Sequence, residues 1–198
     1  MQRFKRKYDT SNPKNIIHIF TEGKKTEPDY FNSIKDDLRL NEINIKIYGK
    51  GDHTISLVES VIKIKNESKN CGDEWWIVFD RDDHLGFNQA IEMAEKNEIH
   101  AIYSNECFEL WFILHFEFLN TSIGRGAYYD KLTNSFGKKY DKKNSVSYEM
   151  LRTKEGDAIR NAKKLDKMYE DQGVTSHEKR DPSTLVYRLV ERLRSLRL

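Results

Sequence analysis

Glu22 follows the apolar run Ile16-Ile17-His18-Ile19-Phe20, and Asp80 and Asp82 follow the apolar run Trp75-Trp76-Ile77-Val78-Phe79. Carboxylates at the ends of buried β-runs put hard oxygen donors at the carboxyl edge of a sheet, where open α/β folds bind ligands and metals. The spacing therefore predicts a divalent-metal centre. Asp80 and Asp82 lie two apart across a sharp turn and can both face one Mg2+, which keeps several waters and takes one or two carboxylates plus phosphate oxygens. Glu22, from another strand end, either completes that shell or serves as general base or acid in phosphodiester attack. Asp83 has two readings, as a further ligand or as the cap of the next helix.

Weaker candidates surround these. Glu27 falls in the first turn of a helix, where an acid suits the helix dipole as well as it would suit a ligand role. Lys24 and Lys25 follow Glu22 and either hold a phosphate or are solvated loop lysines. Glu109 is flanked by Phe108, Leu110, Trp111 and Phe112, so burying it without a partner would be costly. It either faces the metal site or points outward. His84 either approaches the acids from its loop or is simply exposed, and His115 reads as a satisfied core histidine rather than a catalyst.

Alternating strand and helix patterns must position these groups. Ile16 to Phe20 reads as a strand buried on both faces. A helix follows from Thr26, with Thr26 and Asp29 as a capping box, Pro28 in the first turn and Tyr30, Phe31, Ile34 and Leu38 as its core stripe. Ile43, Ile45 and Ile47 alternate in a half-exposed strand. Thr54 caps a helix carrying Leu57, Val58, Val61 and Ile62. Trp75 to Phe79 is the most buried strand, followed by a helix with Phe87, Ala90, Ile91 and Ala94. A short strand spans Ile99 to Tyr103, and the run from Phe108 to Phe116 reads as a buried helix. This order predicts an α/β fold with a mostly parallel small sheet flanked by helices.

Past residue 120 no strand pattern recurs. Helices are expected over Tyr128 to Phe136, Tyr148 to Arg152, Ile159 to Tyr169 and Ser183 to Leu196, the last capped by Asp181 with Pro182 in its first turn. The expected organisation is a basic arm over 1–15, an α/β domain over 16–120 and a basic helical extension over 121–198. Net charge is only +2, but residues 121–198 hold 18 Lys and Arg against 11 Asp and Glu, whereas residues 1–120 hold 16 against 21. An acidic centre beside basic helices suits a phosphodiester substrate. Lys138, Lys139, Lys142 and Lys143 form the densest basic segment, read either as a nucleic-acid contact or as a solvated loop. Cys71 and Cys107 form no CxxC motif, and the Met1 end has no secretory pattern, so a cytoplasmic protein without a membrane span is expected.

Thr21-Glu22-Gly23, Thr26-Glu27-Pro28-Asp29-Tyr30-Phe31, Phe79-Asp80-Arg81-Asp82-Asp83-His84 and Ser104-Asn105-Glu106-Cys107-Phe108-Glu109-Leu110-Trp111 together resemble the RloB-like family of bacterial defence-associated proteins. Asp181-Pro182-Ser183-Thr184 resembles a further element of that family, with Asp181 where Asn is expected and Glu106 where Pro is expected. The Glu after the first strand and the later Asp-x-Asp also resemble the wider Toprim class of topoisomerases, primases and nucleases. The resemblance implies a Toprim-like fold and a nuclease dependent on Mg2+, with Mn2+ as an alternative, acting on DNA or RNA in anti-phage defence. It also implies an ATPase encoded nearby, and a homo-oligomer is a further expectation. Two other classes stand beside it. One is a non-catalytic scaffold subunit of an ATPase complex, and the other is a phosphatase-like hydrolase with an Asp nucleophile, which would want its Asp-x-Asp on the first strand.

Overall fold

A computed structural model describes residues 15–40, 45–51, 53–68, 70–81, 86–142 and 148–197 of the chain. Five strands form one sheet in the order β2-β1-β3-β4-β5. The first four are parallel: β1 (Ile17–Thr21), β2 (Ile45–Gly49), β3 (Glu74–Asp80) and β4 (His100–Asn105). Helices α1 (Thr26–Asp37), α2 (Thr54–Glu67) and α3 (Phe87–Lys96) make the crossovers between them. The chain is α/β, as its pattern predicts. The interior strands β1 and β3 are the near-continuous apolar runs, because both of their faces are covered. β2 lies at the edge, where Ile45 is buried, Ile47 and Tyr48 are half-buried, and Lys46 and Gly49 are exposed.

The apolar run after β4 is a short buried helix, α4 (Glu109–Ile113), whose five residues are all buried. Phe108 and Phe112 meet Tyr30 of α1 edge to face, with ring centres 5.7 Å apart in each pair, and Phe31 meets Phe108 at 6.0 Å. This geometry favours aromatic pairs beyond their area burial. Helices α5 (Arg125–Phe136), α6 (Tyr148–Arg152), α7 (Glu155–Asp171) and α8 (Val186–Arg194) complete the chain. Leu132, Leu151, Ala158, Leu165 and Leu189 from these helices join the same hydrophobic cluster as the strands.

Three local expectations need correction. A fifth strand, β5 (Ser183–Thr184), pairs antiparallel with the end of β4, where Ser104 faces Thr184 and Asn105 faces Ser183. Two residues are too few to show a periodicity. Consequently α8 starts at Val186 rather than Ser183, and Asp181 accepts from the Ser122 hydroxyl at 2.5 Å instead of capping the helix. Neither Thr26 nor Thr54 caps its helix: the caps of α1 and α2 are Lys25 and His53, without side-chain cap hydrogen bonds. Both threonine hydroxyls are used elsewhere, as described below. Among the described residues no helix is long and apolar enough to cross a membrane.

Candidate functional site

Parallel register brings the two acidic strand ends together. Thr21, the last residue of β1, lies opposite Val78 of β3, and the Glu22 backbone N–H continues the ladder by donating to the Val78 carbonyl at 2.9 Å. The Glu22 carboxylate then reaches sideways. Its Oε2 accepts from the Asp80 backbone N–H at 3.1 Å, and its Oε1 accepts from the Thr54 hydroxyl at 3.4 Å. Thr54, the first residue of α2, therefore orients the Glu22 carboxylate, a role its sequence position does not disclose.

Glycine makes the loop after Glu22 possible. A Cβ on Gly23 would overlap the Glu27 carboxylate, so that carboxylate lies against the loop backbone. Gly51 has φ +70°, a left-handed conformation that glycine adopts at little cost, and the Lys24 stem lies over it. Lys24 and Lys25 are exposed at the mouth.

Three carboxylates are buried here. Glu27 is 3% exposed, Asp80 8% and Glu109 0%. Glu109 opens α4, turned inward among aromatic residues, and its Oε1 accepts from the Tyr140 hydroxyl at 2.9 Å. Lys142 Nζ lies 3.8 Å from the same oxygen. Among the described residues Oε2 of Glu27 and Oε2 of Glu109 have no hydrogen-bond partner. Burial first, then the neighbouring Glu27, Glu109 and Glu22 carboxylates, pushes the Asp80 carboxyl well above its ordinary value, with Lys142 pulling the other way. Burial likewise raises Glu27, and Lys142 again opposes the shift. Burial works against the charge of Lys142, but Glu109, Asp80 and Glu27 more than offset it and hold the ammonium above the ordinary lysine range.

The basic segment is therefore divided. Lys138 and Lys139 are exposed. Tyr140 is buried against Tyr129 and Phe136, with its backbone N–H on the Thr133 hydroxyl at 3.0 Å. Lys142 turns inward to the carboxylates rather than joining a uniform basic face, and the Thr26 hydroxyl donates to its backbone carbonyl at 3.4 Å. The only sequence signal for this closure was the tyrosine set inside the lysine run. Lys143, Asp82, Asp83 and His84 lie outside the described residues. His115 is the core histidine its context predicts, 1% exposed with Nδ1 donating to the Trp111 carbonyl at 2.8 Å.

Among the described residues no three His, Cys, Asp or Glu side chains are gathered closely enough to hold a metal ion. The donor chemistry nonetheless fits a hard divalent cation. The available groups are carboxylate oxygens, two of them buried without partners among the described residues, in a pocket where neighbouring acids help to raise the pKa of Asp80.

No curated protein and no solved structure matches this chain. The model of the RloB-like protein family matches it over residues 17–193, a span that takes in every acid and lysine of the site just described. The chain belongs to the RloB-like protein family.

Proposed function

We propose that this protein is a metal-dependent nuclease that hydrolyses phosphodiesters of DNA or RNA, an effector of anti-phage defence under the control of an ATPase encoded nearby. The observation that carries this reading is the juxtaposition of Glu22, Asp80, Glu27 and Glu109 at the carboxyl edge of the sheet, with Oε2 of Glu27 and of Glu109 buried and unpartnered. Unmet buried carboxylate oxygens cost free energy, and a bound cation at this edge would return it.

Asp80 and Glu22 would hold Mg2+ in this reading, with Asp82 and Asp83 as further donors and Glu27 and Glu109 beside them. The cation would supply neutralisation of charge on the reacting phosphate. Glu22 is held in one orientation by the Asp80 N–H and the Thr54 hydroxyl, and it takes the proton of the attacking water. Lys24 and Lys25, exposed at the mouth, hold the phosphates on either side of the scissile one. Lys138 and Lys139 extend that grip along the backbone.

The test is cleavage of supercoiled plasmid and of total RNA by the purified chain, with Mg2+, Mn2+ or chelator, alone and with the neighbouring ATPase and ATP. Cleavage that needs the divalent ion and is abolished by Asp80→Asn is expected. Absence of cleavage under every condition, together with full phage protection by Asp80→Asn, would transfer the assignment to a scaffold subunit of the ATPase complex.

A further inference from the structure

The opposite edge of the sheet carries its own concentration of charge. α8 leaves β5 and runs back along the sheet, so that Arg192 near its end pairs with Glu74, the first residue of β3. α1 ends at the same edge, since it returns from the carboxyl end of β1 toward the start of β2. The two helix ends and α6 enclose a cavity of about 570 Å3 lined by Asp37, Leu38, Arg39, Arg152, Arg194 and Arg197. Four guanidinium groups meet one carboxylate in that lining.

Pairing consumes only half of these arginines. Arg152 meets Asp37 at 2.9 Å, and Arg194 meets Glu155, whose side chain is 4% exposed. No ion pair or side-chain hydrogen bond engages Arg39 or Arg197 among the described residues. Arg39 also has φ 54°, in the left-handed region that costs an L-residue roughly 1 kcal/mol. Its neighbours thus hold a charged side chain at the cavity in a conformation it does not prefer.

We propose that this cavity binds a polyphosphate group, either free or carried by a nucleotide. The volume lies in the range of small-ligand sites, roughly 300–1,000 Å3. Guanidinium forks match phosphate oxygens bidentately, and with Arg152 and Arg194 paired to Asp37 and Glu155 the two remaining arginines leave a net positive site suited to a multiply charged anion. Among the described residues of the lining Leu38 is the one apolar side chain, and none carries an aromatic ring to stack a base. Recognition is therefore of the phosphate chain and is indifferent to the base. The site stands at the amino edge of the sheet, away from the carboxylates, and does not depend on the nuclease reading.

The experiment is isothermal titration of the full chain, in chelator and 150 mM salt, with tripolyphosphate, ATP, GTP and a 20-base-pair DNA duplex. Saturable binding of tripolyphosphate, ATP and GTP with affinities within about threefold of one another is expected. The variant carrying Arg39→Ala and Arg197→Ala, neither of which breaks a pair, should keep the melting temperature and weaken all three at least tenfold. Preference for one nucleotide over tripolyphosphate would overturn base-indifferent recognition. No saturable binding, unchanged affinity in the double variant, or duplex binding that tripolyphosphate does not displace would overturn the site itself. Repeating the titration with Asp80→Asn separates the two centres, because the polyphosphate affinity should be unchanged whether or not that substitution abolishes cleavage.

Discussion

Asp166 and Glu109 are both buried acids, 6% and 0% exposed, and the fold treats them in opposite ways. Asp166 Oδ1 accepts from Arg180 at 2.8 Å, while its Oδ2 accepts from the Tyr187 hydroxyl and from Arg188, each at 2.9 Å. Glu109 has Tyr140 on one oxygen, Lys142 at 3.8 Å from that same oxygen, and nothing on the other. Two more buried acids, Glu27 and Asp80, stand close enough to Glu109 for its charge to raise both of their pKa values. The first arrangement is what an ion pair needs if it is to survive burial, with both oxygens satisfied. The second is under-compensated, and such sites persist where function retains them. Burial of an acid alone thus says little, and the state of its second oxygen says more.

The largest test of this contrast removes the satisfied acid. Asp166→Ala leaves Arg180, 11% exposed in its side chain, without its carboxylate and strips the Tyr187 hydroxyl of its acceptor. Breaking one side of a buried pair costs about 3–5 kcal/mol. Denaturant unfolding should show a loss near the lower end, since Arg180 keeps the Val174 carbonyl and Arg188 is half exposed. A loss under 1 kcal/mol would mean that full pairing does not mark a structural acid here.

His115 tests whether an unpartnered buried atom alone signals a functional site. Its Nε2 has no partner among the described residues, yet it sits in the apolar interior at 1% exposure, with none of Glu22, Glu27, Asp80 and Glu109 among the groups that shift it. Burial pushes its pKa down to about 4 from 6.5, so the folded state holds it neutral. Its contribution is complete above pH 6.5, and it is lost as pH falls toward 4, because the unfolded chain takes up the proton first. The slope over that window is about 1.4 kcal/mol per pH unit, which sums to roughly 3 kcal/mol. Stability measured from pH 7 to pH 4 should fall accordingly, and His115→Gln should flatten that fall without affecting divalent-ion binding. Weakened ion binding by this variant would extend the site into the core.

How far the sequence discloses this arrangement differs between fold and site. The β1 and β3 strands were legible because burial on both faces leaves unbroken apolar runs, and the strand-end acids were legible because a carboxylate directly after such a run has little structural use. β5 was not legible, since its two residues owe their conformation to the Ser104 and Asn105 backbone and to the contact of the Ser104 and Thr184 hydroxyls at 2.8 Å. Thr26 and Thr54 looked like caps because capping is the local use of threonine. Their actual partners, Lys142 and Glu22, are 116 and 32 residues away in sequence. The contact of Lys142 with Glu109 was illegible for the same reason. A lysine in a run of lysines looks solvated, and only the tertiary fold turns it toward Glu109.

A smaller effect is expected from neutralising the under-compensated acids. The Asp80 carboxyl is raised in the folded state, so its ionisation opposes folding at neutral pH. That penalty is absent below pH 3.8 and develops as pH rises through the folded value. Asp80→Asn in chelator at pH 8 should therefore stabilise the chain by about 1 kcal/mol, or 2–4 °C in melting temperature. The gain should shrink toward acid pH. Destabilisation at pH 8 would show that Asp80 is structural in the manner of Asp166.

The smallest effect, and the sharpest on the comparison, concerns Lys142. Its side chain is 43% exposed, so solvent screens the pair with Glu109 and holds its worth below about 1 kcal/mol. Lys142→Met in chelator should lower stability by no more than that, since the carboxylates lose their countercharge but can take up protons. The same substitution made in Glu109→Gln should cost less, because one of the charges that holds the ammonium is then gone, and a double-mutant cycle reads the difference directly. Arg180→Met and Asp166→Asn form the matching cycle on the satisfied acid, where burial of both partners should give a coupling several times larger. Equal couplings in the two cycles would mean that Lys142 pairs with Glu109 as a structural ion pair, and that the carboxyl edge of the sheet is no less compensated than the helices behind it.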